Sequence, residues 1–150
     1  MQENLYEQDI CLWALQTAEI LRSHRFCELD LEHLIDEVED LSKRERDKLL
    51  SCLKVLLTHI LKWKYQPELC CANWEITIKR CRNEIQSQLE DTPSLKQFLV
   101  SDKWIEKSYE RACRDAADET SLSLCTFPKI MPFTIAQVLS DTFWPNFNNS

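Results

Sequence analysis

The chain has 150 residues, 44% apolar and 29% charged, enough for one globular domain with a real core, and a formal charge of −7 that opposes the phosphate backbones of nucleic acids. It contains no glycine, which removes the Walker phosphate loop, the dinucleotide fingerprint and the nucleophile elbow, each of which needs backbone that glycine readily supplies. Apolar runs such as Val55-Leu56-Leu57 are far shorter than the ~18 residues that span a bilayer, and Met1-Gln2-Glu3-Asn4 opens no secretory signal, so a cytoplasmic location without a membrane anchor is expected.

Asn4 with Glu7 reads as a helix start, and Ile10, Trp13, Ala14, Thr17 and Leu21 recur at helical spacing, which predicts a first helix over 5–25. Asp30 caps a second, short amphipathic helix with the stripe Leu31, Leu34, Ile35, Val38 and Leu41. Ser42 with Glu45 has the form of a capping box and opens a third helix reaching about Tyr65, before Pro67. Its apolar residues, from Leu49 to Trp63, cover most of its circumference, which makes it the central helix. Trp74, Ile78, Cys81, Ile85 and Leu89 mark a fourth helix ending near Asp91-Thr92-Pro93. Ser94 with Gln97 suggests another capping box, and a stripe from Leu95 to Ala116 gives a fifth helix, or two with a break at Ser101-Asp102. Cys125 to Pro132 fits an extended stretch, Thr134 with Gln137 caps a last short helix with Phe133 and Val138 as a staple, and Phe143-Trp144-Pro145 is too aromatic for a free tail. The fold class is therefore all-α: a single-domain bundle of five or six helices over 1–150, with an extended aromatic carboxy-terminal segment.

Eight cysteines stand at 11, 27, 52, 70, 71, 81, 113 and 125. No Cys-x-x-Cys pair occurs and several fall at helix-core spacing, so free thiols in a reducing compartment are expected rather than a disulfide framework or zinc ligands.

The stretch from Leu29-Asp30-Leu31-Glu32-His33-Leu34-Ile35-Asp36-Glu37-Val38-Glu39-Asp40-Leu41 through Arg44-Glu45-Arg46 to His59-Ile60-Leu61-Lys62-Trp63-Lys64-Tyr65-Gln66-Pro67 resembles the family called domain of unknown function 29. Trp74, Thr77-Ile78, Pro93-Ser94-Leu95, Phe127-Pro128, Pro132-Phe133-Thr134 and Phe143-Trp144-Pro145 continue the resemblance over almost the whole chain. It implies a bacterial, mostly cyanobacterial, all-helical protein and brings no catalytic residues or cofactor. Members often carry glycine near the position of Ser42, and this chain departs there.

Chemistry is sparse. His33 and Glu37 stand one helical turn apart and His59 lies further on, a set that could bind a metal or exchange protons. Helical angles place His33 and Glu37 away from the apolar stripe and His59 within one, so a solvated His33 and a hydrogen-bonded core His59 are the simpler expectation, with no metal. In a hairpin turning at Ser42 the two histidines would be about 12 Å apart along the axes. Glu28, Asp30, Glu32, Asp36, Glu37, Glu39 and Asp40 crowd one segment before Lys43, Arg44, Arg46 and Lys48. They read as a solvated face with Glu39–Lys43 and Asp40–Arg44 pairs, or, through Glu32, Asp36 and Asp40, as an acidic docking surface for a basic protein partner or a divalent cation. The cation–aromatic runs Lys62-Trp63-Lys64-Tyr65 and Lys79-Arg80-Cys81-Arg82 are poor nucleic-acid candidates, because Trp63 falls on the apolar side. No spacing ties a cysteine to His24, His33 or His59, so no nucleophile is assigned.

With catalytic signatures absent, the expected function is a protein–protein interaction or regulatory module with no cofactor. The alternative is a metal-dependent enzyme using His33, Glu37 and His59. Apolar surface beyond the needs of one core would imply self-association.

Overall fold

The computed structural model describes residues 4–145, and every regular element among them is helical. Seven α-helices occur among the described residues: α1 Leu5–Gln8, α2 Ile10–Arg22, α3 Leu31–Tyr65, α4 Ala72–Asp91, α5 Lys96–Leu99, α6 Asp102–Thr120 and α7 Ile135–Leu139. Short 3₁₀ turns lie at Phe26–Glu28, Pro67–Leu69, Pro93–Leu95 and Leu124–Thr126. The all-α class expected from the sequence holds.

Three boundaries differ from the sequence reading, each for a local reason. The helix expected over 5–25 is interrupted at Asp9, whose carboxylate accepts the Leu12 amide at 3.0 Å and so caps a new helix. No helix begins at Ser42: α3 runs unbroken for 35 residues, since nothing between Leu31 and Tyr65 is glycine or proline and a Ser-x-x-Glu pair inside a helix carries no signal of its own. Ser94 caps nothing, because Pro93–Leu95 forms a 3₁₀ turn before α5, and the next helix starts after Val100 and Ser101.

The chain divides into two compact units, Met1–Arg44 and Glu45–Ser150. The second holds a conventional core. Leu49, Leu53, Leu56, Leu57, Ile60 and Leu61 of α3 are completely buried against Ile78 and Ile85 of α4, Ala112 and Ala116 of α6, and Val138 of α7. Each such Leu or Ile contributes about 1.5–3 kcal/mol relative to an exposed one, so this cluster is the stabilising centre of the unit.

The segment after α6 is latched onto that core by polar groups. Arg82, 3% exposed, donates from Nε to the Val138 carbonyl at 2.9 Å and from Nη2 to the Phe143 carbonyl at 2.7 Å. The Tyr109 hydroxyl donates to the Pro128 carbonyl at 2.6 Å, and Trp144 lies against Trp63 with ring centroids 5.0 Å apart. Thr134 and Gln137 form the reciprocal capping box that opens α7. Without glycine, the left-handed residue that ends α6 is Ser121, at φ 60°.

The first unit is built differently. Trp13 is its one buried apolar side chain among the described residues, and beside it lies an open groove of about 870 Å³ lined in part by Leu5, Ile20 and Leu29. Of the eight cysteines, all free, Cys52, Cys81 and Cys113 are buried in the second unit, while Cys11, Cys27, Cys71 and Cys125 are exposed.

Candidate functional site

The amino-terminal half of α3 sits inside the first unit in an inverted sense. At ~100° per residue, Leu31, Leu34, Ile35, Val38 and Leu41 occupy an arc of about 120°, with His33, Glu37 and Asp40 on the far side. Amphipathic logic expects the apolar arc to face inward. Instead Leu31, Ile35, Val38 and Leu41 are 58%, 53%, 63% and 59% exposed, while His33, Glu37 and Asp40 are half-buried.

The reason is Tyr6 of α1. Its hydroxyl donates to Glu37 Oε1 at 2.6 Å, its ring stacks on the His33 imidazole at 4.1 Å between centroids, and its other contact is edge-on to Trp13 at 5.0 Å. Asp30, just before α3, accepts the His33 amide at 3.4 Å through Oδ1 and meets His33 Nδ1 at 2.6 Å through Oδ2. A network of aromatic and polar groups therefore holds His33 and Glu37 inward, with Leu34 half-buried as well, and leaves Leu31, Ile35, Val38 and Leu41 to solvent. His33 thus lies beside an acid, Asp30, and keeps part of its surface in water.

These contacts set the electrostatics. The hydrogen bond to Glu37 pushes the Tyr6 hydroxyl up to about 12. The bond between Asp30 and His33 raises the imidazole and lowers the carboxyl from their ordinary values. Of the expected ion pairs, Lys43 meets Asp40 at 3.8 Å rather than Glu39, and Arg44 reaches Glu37 at 3.9 Å and the Asp40 carbonyl at 3.4 Å.

His59 belongs to the other unit, so only His33 and Glu37 of the three sequence candidates are brought into one cluster. His59 is half-buried, its Nδ1 lies 2.9 Å from the Val55 carbonyl, and burial lowers its pKa. Among the described residues no group of three or more His, Cys, Asp or Glu is arranged to hold a metal ion.

The cation–aromatic runs are only partly taken up by packing and pairing, and Lys79 and Arg80 stay exposed. Lys62, 8% exposed, meets Glu119 at 2.7 Å and lies over the Trp74 ring, Lys79 pairs with Glu75 at 2.8 Å, and Arg82 is buried. No helix among the described residues is long and apolar enough to cross a membrane.

Charge is divided as unevenly as packing. Residues 1–44 carry eleven acids and four bases, and residues 45–150 carry fourteen of each, so the whole excess of −7 belongs to the first unit. Among the described residues, nine of the fourteen exposed large apolar side chains lie there too, in fewer than a third of the positions.

The family model for domain of unknown function DUF29 matches residues 5–144. The chain belongs to the DUF29 family. No curated protein and no solved structure matches it. In this DUF29 chain Tyr6 is the site residue the sequence did not disclose: an aromatic in the first turn carries no signal of the polar groups it will cover. Glu32, Asp36 and Asp40, the acids singled out by their crowding, lie on α3 along with the exposed stripe.

Proposed function

We propose that this DUF29 chain is a protein–protein interaction module of the bacterial cytoplasm, whose docking face is the Leu31–Leu41 surface of α3 and whose partner presents a basic amphipathic helix. One observation carries the reading: Leu31, Ile35, Val38 and Leu41 form a continuous exposed stripe within an acidic unit. A surface helix left to water would gain nothing from four large apolar side chains on its outer face, whereas a helix awaiting a partner buries them on binding.

Charge selects the occupant. Glu32 and Asp36, exposed on the same helix, favour lysines and arginines flanking the partner's apolar face, which speeds encounter and fixes register, whereas Asp40 is half-buried and pairs with Lys43. A second copy is the poorer fit, since it would bring one unit of excess −7 against another.

The test uses a synthetic helical peptide of leucines and lysines in amphipathic order, beside a scrambled peptide of identical composition. The ordered peptide is expected to bind in the micromolar range at low salt and the scrambled one much more weakly. Both E32K/D36K and L31S/I35S/V38S/L41S are expected to weaken the ordered peptide by about tenfold or more, the first in a salt-dependent manner. Equal binding of the two peptides, or indifference to either variant, contradicts the reading.

A further inference from the structure

The second unit carries a cationic cleft that the docking reading leaves unused. It encloses about 370 Å³ between residues 46–54 of α3 and 104–111 of α6. On α6, Trp104, Lys107, Ser108 and Arg111 fall at i, i+3, i+4 and i+7, one face of the helix; on α3, Arg46, Leu50 and Lys54 do the same at i, i+4 and i+8. The lining therefore sets four cations, Arg46, Lys54, Lys107 and Arg111, against the single carboxylate of Asp47.

Two of those cations are already compensated. Arg46 donates from Nε and Nη2 to Asp47 Oδ1 at 3.1 and 3.0 Å, and Lys54 meets Asp115 at 3.2 Å. Lys107 and Arg111 have no carboxylate partner among the described residues. Moreover, Arg46, Lys103 and Lys107 all gather on the Trp104 ring, 4.6, 5.6 and 5.6 Å from its centroid. Three like charges around one indole repel one another, and an anion between them relieves that repulsion. Ser108, only 5% exposed, lines the cleft and makes no side-chain hydrogen bond among the described residues, so its hydroxyl is a spare donor.

We infer that this cleft is a binding site for a small phosphorylated ligand, with the phosphate held by Lys107, Arg111 and the Ser108 hydroxyl. A phosphate oxygen set can accept from all three at once, and Arg111 can meet it in a two-pronged arrangement. The volume lies near the lower end of the ~300–1,000 Å³ typical of ligand pockets, which favours a small molecule over a chain. Trp104 is the one aromatic residue in the described lining, too few for stacking a series of bases.

Calorimetric titration of the full chain with inorganic pyrophosphate tests the assignment. Binding at micromolar to millimolar strength is expected, weakened by about tenfold or more in K107A/R111A and measurably in Ser108→Ala, which alters no charge. K96A/K129A, which removes the same charge from exposed positions outside the cleft, is expected to bind as the parent does. Thermal unfolding of each variant confirms that it is folded. Absence of binding at millimolar pyrophosphate, equal loss in K96A/K129A, no loss in K107A/R111A, or a single-stranded oligonucleotide held far more tightly than pyrophosphate overturns it.

Discussion

The Tyr6 hydroxyl donates to Glu37 Oε1 at 2.6 Å, tying the first turn of the chain to a helix thirty-one residues further on. With Trp13 the one buried apolar side chain described in this unit, that bond and the stacking on His33 are what orient α3. Tyr6→Phe keeps the ring and deletes the donor. It is expected to lower amide protection in residues 5–22 by hydrogen exchange while leaving residues 49–61 unchanged.

The Asp30–His33 pair gives this unit a pH response whose sign follows from the two shifts. His33 is raised, so its contribution is complete below the ordinary imidazole value of about 6.5 and is lost as pH rises through the folded pKa. Asp30 is lowered, so its contribution is present above its ordinary 3.8 and is lost as pH falls through the folded value. The pair therefore supports the unit best between those limits. NMR titration of the His33 ring is expected to show a midpoint above that of His59, which burial lowers. His33→Gln is expected to remove the alkaline loss of protection in residues 5–22.

Arg82 is the latch of the carboxy-terminal segment, and Arg82→Met fills much of its volume while leaving the Val138 and Phe143 carbonyls without their donor. The Nη1 of this arginine has no hydrogen-bond partner among the described residues, and burial already lowers its pKa, so the residue is not optimal in itself. Two lost charge-assisted bonds still outweigh that relief. A loss of about 2–3 kcal/mol in urea unfolding is expected, with protection lost first in α7.

Ser121 adopts the left-handed conformation that a β-carbon disfavours by about 1–2 kcal/mol. Ser121→Gly removes that cost and adds some unfolded-chain entropy. A net gain of about 0.5–1 kcal/mol is expected in the same unfolding experiment, and a loss would show that the Ser121 side chain contributes a contact of its own.

Local chemistry made much of this fold readable. Thr134 and Gln137 form the capping box their spacing implied, α4 ends at Asp91 before Pro93, and the core positions from Leu49 to Leu61 follow from an all-round apolar pattern. The same kind of signal misled at Ser42 and Ser94, because a Ser-x-x-Glu or Ser-x-x-Gln pair caps a helix only where the chain has another reason to start one. Asp9 shows the converse: a carboxylate inside an apparently continuous pattern captured a backbone amide and split the helix.

The candidate site was legible in its composition and hidden in its orientation. Periodicity reveals that α3 has an apolar face, but which face turns inward depends on what packs there, and Tyr6 takes the polar one. The cleft at Trp104 was hidden for a related reason. Its cations come from positions 46–54 and 104–111, and only the pairing of α3 with α6 collects them.

The most direct test of the docking face is a photo-crosslinking residue placed at Val38, 63% exposed in the middle of the stripe, and activated in living cells. The account predicts a crosslink to a different protein, with the adduct mapped to a basic amphipathic helix and abolished by L31S/I35S/L41S. A crosslink to a second copy of the chain, to its own residues 45–150, or to no protein at all would contradict it.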